Sequence, residues 1–123
     1  MKILIVDDEE DVRRIARLSL VKVGGFEVVE AANGRDALQR AVEQRPDAIL
    51  LDVMMPEMDG PMTLRALREN PLTAGIDVIF VTARALRSEL RELEEMGVRG
   101  VLTKPFNAME LSDDVRRVLG RPA

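Results

Sequence analysis

Asp7, Asp8, Asp52, Thr82 and Lys104 each stand just past the end of a short apolar run. "ILIV" (3–6) is followed by the two aspartates, "AILL" (48–51) by Asp52, "VIFV" (78–81) by Thr82, and "GVL" (100–102), after one threonine, by Lys104. Carboxylates gathered in a small space raise one another's pKa, and a divalent cation relieves the repulsion. The chain has no His and no Cys. An all-oxygen ligand set selects a hard ion, Mg2+ or Mn2+. Lys104 can balance the remaining negative charge. A carboxylate beside a metal, a lysine and a hydroxyl suits phosphoryl transfer, which asks a protein mainly for positioning and charge neutralisation. Asp52 is then the candidate nucleophile, giving an acyl phosphate. Of the 18 basic residues only Lys2, Lys22 and Lys104 are lysines. A compact ammonium on a flexible stem fits a crowded pocket better than a guanidinium fork.

Each signal also has a plainer reading. "DDEE" (7–10) suits the acidic first turn of a helix. Asp52 reads as a loop acid, Thr82 as a strand-end hydroxyl or N-cap, and Lys104 as a surface lysine. Their joint fall at the ends of neighbouring strands favours a shared site. Met54, Met55, Met58 and Met62 read as core and loop packing.

The elements must bring these residues together. "ILIV", "AILL" and "VIFV" are continuous apolar runs, the pattern of strands buried on both faces. "FEVVE" (26–30) is more polar and suits an edge, and "GVL" is a short fifth candidate. Between them lie helical patterns. Val12, Ile15, Ala16, Ser19 and Val23 share one face, stopped by Gly24-Gly25. Asn33 caps a second helix, with Ala37, Leu38, Ala41 and Val42 inward and Pro46 as the break. A third runs from about Gly60 to Asn70, with Leu64 and Leu67 inward. Leu86, Leu90 and Leu93 mark a fourth, closed by Gly97. Asn107 with Glu110 resembles a capping box for a fifth, through Leu111, Val115 and Val118. Strand–helix alternation predicts an α/β fold, a five-stranded parallel sheet with helices on both faces. The expected strand order is 2-1-3-4-5, flavodoxin-like. Ligands of such sheets bind at the carboxyl ends of the strands, where the order reverses. Strands one and three are neighbours there, which would crowd Asp7, Asp8 and Asp52, with Thr82 and Lys104 flanking.

The 123 residues fit one domain, here read as 1–120 with a tail or linker remnant at 121–123. The chain is 46% hydrophobic, 33% charged and carries a net charge of -4, a balance that argues against nucleic acid as the main partner. No stretch reads as a signal peptide or a membrane span, so a cytoplasmic protein is expected.

The stretches "ILIVDDEEDVRR", "PDAILLDVMMPEMDG", "VIFVTA" and "GVLTKPF", in this order, resemble a response-regulator receiver domain, the CheY-like module of two-component signalling, over about residues 2–119. The resemblance implies that Asp52 is the phosphoacceptor. It implies that Asp8 binds Mg2+ directly, Asp7 directly or through water, and the Met54 backbone carbonyl as a further ligand. Thr82 and Lys104 would each meet a phosphoryl oxygen, and Lys104-Pro105 would be a cis peptide. The donor would be a histidine kinase or phosphotransfer protein. The chain would be a signalling module that catalyses only its own phosphorylation and dephosphorylation. Met54 and Arg84 match positions that tune phosphoryl lifetime. Output would pass by protein docking near the fourth helix, fifth strand and fifth helix, a surface that includes Arg87, Arg91, Arg116 and Arg117. For most of those arginines the plainer reading is the solvated sides of amphipathic helices. With only "GRPA" after the last helix, a stand-alone receiver is expected. One departure stands out: Val101 occupies the position where the family commonly carries an aromatic switch.

Three rivals share parts of this pattern. A small Mg2+-dependent phosphatase of the haloacid-dehalogenase-like group needs a second Asp two residues after the nucleophile, where this chain has Met54. A flavodoxin-type carrier would lack Trp or Tyr to flank its flavin. A receiver-like module that is never phosphorylated is opposed by the intact acidic set, Thr82 and Lys104.

Overall fold

Strands buried on both faces need apolar side chains at successive positions, and the short runs supply them. A computed structural model describes residues 1–83 and 86–120 of the chain. Strands β1 (Lys2–Val6), β2 (Glu27–Ala31), β3 (Ala48–Asp52), β4 (Asp77–Thr82) and β5 (Gly100–Thr103) form one parallel sheet in the order β2-β1-β3-β4-β5. Helices α1 (Glu10–Leu18), α2 (Gly34–Gln44), α3 (Gly60–Glu69), α4 (Arg87–Glu94) and α5 (Leu111–Val118) alternate with them. This is the expected fold and strand order, with β2 at an edge.

Alternating strand residues point to opposite faces, and the core divides accordingly. Leu4, Val6, Ile49, Leu51, Val78 and Phe80 pack against Ala37 and Ala41 of α2 and Leu64 and Leu67 of α3. Ile3, Ile5, Leu50, Ile79 and Val81 pack on the other face, against Ala16 of α1, Leu20, and Leu111 and Val115 of α5. Leu93 of α4 lies half-buried at the margin of the first cluster. Leu86 precedes α4 and is exposed. Among the described residues no helix is long and apolar enough to cross a membrane.

Side-chain caps set the starts of two helices. The Asn33 side chain accepts the Asp36 N–H at 2.8 Å and caps α2. Asp59 does the same for α3 with the Met62 N–H at 2.9 Å. Several details differ from the expected pattern. The inward stripe is Ala16 of α1, continued by Ser19 and Leu20 past its end, while Ile15 and Val23 are each 46% exposed. Ile15 lies about 100° around the helix from Ala16, on the flank of the stripe. Beyond it, Ser19–Val23 winds in wider π-helical turns that rotate the face away from the regular repeat. At α5, Asn107 accepts the Met109 N–H through its side chain at 2.8 Å and starts a turn over 108–110. Glu110 makes no side-chain cap bond, so the reciprocal half of the capping box is missing and the helix proper begins at Leu111. Of the methionines, Met55 is buried, whereas Met54 and Met62 are exposed.

Candidate functional site

The register of the sheet assembles the site. Val6 of β1 pairs with Leu51 of β3, so the next residues, Asp7 and Asp52, leave adjacent strands side by side. One carboxylate oxygen from each of Asp7, Asp8 and Asp52 lies within 4.8 Å of the other two. Asp7 and Asp52 are each 3% exposed, and Asp8 is open to solvent. Lys104 enters from the loop after β5. Its Nζ stands 2.7 Å from Asp7 Oδ2 and 3.4 Å from Asp52 Oδ1. The Thr82 carbonyl accepts the Lys104 N–H at 2.8 Å, which ties the start of that loop to the end of β4. The Lys104–Pro105 peptide is cis.

Backbone donors hold the two buried carboxylates. Asp7 Oδ1 accepts the Glu9 N–H at 2.9 Å. Asp52 Oδ1 accepts the Met54 N–H at 3.4 Å. Gly60 packs the start of α3 against the turn below Asp52. A Cβ there would stand 2.6 Å from the Asp52 carbonyl oxygen and 2.8 Å from Val53 Cα. The Gly60 N–H donates to the Val53 carbonyl at 2.9 Å, closing the 53–60 loop.

The charges are mutually frustrated. Burial, followed by the negative charge of Asp7, pushes the Asp52 carboxyl from its ordinary 3.8 to about 6, against the pull of Lys104 and the Met54 N–H. Burial by itself would lower the Lys104 ammonium. Its hydrogen bond to Asp7 and the charges of Asp52 and Asp7 outweigh that and hold it above its ordinary value. A buried acid that resists ionisation, in a set of oxygen donors without nitrogen or sulfur, fits a hard divalent cation.

The structure brings Asp7, Asp8, Asp52 and Lys104 together. Thr82 is fully buried at the end of β4, one step past Val81, the register partner of Asp52. Met54 offers its N–H to Asp52 while its side chain is exposed. Arg84 and the 121–123 tail lie outside the described residues. Val101 pairs with Phe80 in β5 and is half-buried. Gly60 and Arg13 escaped the sequence reading. Arg13 donates through Nη1 to the Asp7 carbonyl at 2.8 Å and through Nε to Glu30 at 3.2 Å. Gly60 was legible only as a helix start, and Arg13 only as one arginine of an amphipathic helix.

Residues 3–116 match the family described as response regulator receiver domain. The alkaline phosphatase synthesis transcriptional regulatory protein PhoP of Bacillus subtilis is 34% identical over 98% of this chain and 49% of its own. The transcriptional regulatory protein SrrA of Staphylococcus aureus is 38% identical over 98% of this chain and 48% of its own. The chain thus spans about half the length of these curated relatives. Among solved structures, the chemotaxis protein CheY4 of Vibrio cholerae superposes with a TM-score of 0.86 at 34% identity, covering 95% of this chain and 97% of that one. A response regulator from Desulfuromonas acetoxidans gives 0.86 at 32% identity, over 97% and 96%. Receiver domains bind Mg2+ through an acidic pocket and interact with histidine kinases or phosphotransfer proteins. By family match, sequence identity and fold, the chain belongs to the receiver domains of two-component response regulators.

Proposed function

We propose that this chain accepts a phosphoryl group on Asp52 from a phosphohistidine of a kinase or phosphotransfer protein, in a reaction that depends on Mg2+. The carrying observation is the set of three carboxylates within 4.8 Å, with Lys104 Nζ reaching both Asp7 and Asp52. An Asp52 carboxylate oxygen attacks phosphorus, the phosphorus–nitrogen bond breaks, and its electron pair stays on the imidazole of the donor. Asp52 must be ionised to attack, although burial and Asp7 disfavour its anion. Mg2+, held by Asp7, Asp8 and Asp52 with the Met54 carbonyl as a further donor, supplies neutralising charge for these carboxylates and for the phosphoryl oxygens. Lys104, already 3.4 Å from Asp52 Oδ1, pairs with one phosphoryl oxygen. The Thr82 hydroxyl, at the neighbouring strand end, serves another. The product is an acyl phosphate on a domain that signals by its change of surface rather than by turning over a substrate.

Residues 1–120 act as one receiver unit in the cytoplasm, and output passes by protein docking on the face of α4, β5 and α5. Arg87 and Arg91 are exposed there. Arg116 is folded 4.4 Å over the Phe26 ring, and Arg117 pairs with Asp114 at 3.0 Å. Arg87, Arg91 and Arg117 are therefore open to a partner on that face, whereas Arg116 is engaged with Phe26.

Incubation with a small-molecule phosphodonor tests the reading. With Mg2+ the wild type gains one phosphoryl group, and excess chelator stops the gain. Labelling that is undiminished by chelation would overturn the dependence on the cation.

A further inference from the structure

Two of the three carboxylates are gripped directly, Asp7 by Lys104 and the Glu9 N–H, Asp52 by Lys104 and the Met54 N–H. Asp8 is different. Among the described residues, nothing donates to or pairs with its carboxylate, and it is exposed. Its direction is set by its backbone. The peptide plane that joins Asp7 to Asp8 contains the Asp7 carbonyl, and that carbonyl accepts from Arg13 Nη1 at 2.8 Å. Arg13 is itself braced. Its Nε donates to Glu30 Oε1 on β2 at 3.2 Å, and the other Glu30 oxygen takes Arg17 at 3.2 Å. The Asp7 N–H donates to the Ala31 carbonyl, the residue after Glu30, at 3.2 Å. One guanidinium thus ties α1, the end of β1 and the end of β2 together at the peptide that carries Asp8. Its side chain is only 17% exposed, so this is a packed contact rather than a surface pair.

We infer that Arg13 is a positioning residue for cation capture, fixing the Asp7–Asp8 peptide so that the Asp8 carboxylate faces the site. The inference rests on the Mg2+ reading above. It also makes a counterintuitive demand. Judged by charge alone, removing a cation beside three carboxylates should tighten Mg2+ binding. A positioning role requires the opposite.

The test is a Mg2+ titration of the unphosphorylated chain, wild type against Arg13→Gln and Arg13→Lys. The chain has no Trp or Tyr, so binding is followed by calorimetry and by the amide shifts of Asp7, Asp8 and Glu9. Arg13→Gln should weaken Mg2+ binding by roughly 10-fold, the low end of what outer-shell partners of metal ligands cost. Arg13→Lys, which keeps the charge and one donor but loses the fork, should fall between. Saturating Mg2+ should return the phosphorylation rate of Arg13→Gln to near that of wild type. Binding by Arg13→Gln as tight as wild type, or tighter, overturns the inference. If Arg13→Gln does not fold, Arg13→Lys is judged by the same criterion. A wild type that binds no Mg2+ overturns the functional reading itself, and this inference with it.

Discussion

Replacing Asp52 by asparagine should make the metal-free domain more stable, and only above a definite pH. Burial and Asp7 raise the Asp52 carboxyl from 3.8 to about 6. Between those values the folded chain binds more protons than the unfolded one, so stability falls as pH rises through the window. The penalty is complete above about 6 and absent below the ordinary value. At about 1.4 kcal/mol per tenfold change this amounts to about 3 kcal/mol, and solvent screening at the open mouth of the site reduces it to about 1–2 kcal/mol. Asp52→Asn keeps the shape and cannot ionise. Lys104 loses its 3.4 Å partner but keeps Asp7 at 2.7 Å. For a domain of this size 1 kcal/mol moves Tm by about 4 °C, so the variant should melt about 4–8 °C higher near neutral pH. The assay is thermal unfolding of both proteins in chelator, from about pH 8 down to about pH 4. The gain should shrink steadily below about 6 and vanish near 4. Added Mg2+ should close the gap by stabilising the wild type. A variant no more stable than wild type at neutral pH, or a gain that ignores pH, would refute the electrostatic account of Asp52.

Two further outcomes follow from the geometry around the site. Gly60→Ala places a methyl 2.6 Å from the Asp52 carbonyl oxygen and 2.8 Å from Val53 Cα. Both neighbours are backbone, so the loop must move: stability should drop by about 1–3 kcal/mol by denaturant unfolding, with slower labelling of Asp52, and an unaffected variant would argue against this close approach. With Val101 where an aromatic is common, we expect the signal to pass from Thr82 through the α4 loop and the β5 backbone. Phosphorylation should then move the amide resonances around residues 82–88 and 100–106, and identical spectra of the two forms would end that idea.

The sheet was legible because a doubly buried strand has to be apolar at every position. "ILIV", "AILL" and "VIFV" say so without help from their neighbours, and the polar residue that follows each run had to lie at the carboxyl edge. That logic reached Asp7, Asp8, Asp52 and Thr82, and through the shorter, half-buried "GVL" run it led to Lys104. It did not reach residues whose role depends on what another element brings near. Arg13 matters because the register of β1 on β2 sets Glu30 and the Asp7 carbonyl within its span. Gly60 matters because the 53–60 loop folds back until no Cβ fits. Ile15 is exposed because it stands on the flank of the α1 stripe, and Val23 because the regular helical repeat does not foresee the π-helical turns of Ser19–Val23. Met54 and Met62 suit packing by residue type alone, and both are exposed.

The claim at the centre is that Asp52 becomes an acyl phosphate. Its most direct test is to phosphorylate the chain with a small-molecule phosphodonor and Mg2+, reduce the acyl phosphate with borohydride, and locate the altered residue by peptide mass. The account predicts one modified site, Asp52, and no label on Asp52→Asn. A modified residue elsewhere, or equal labelling of Asp52→Asn, would contradict it.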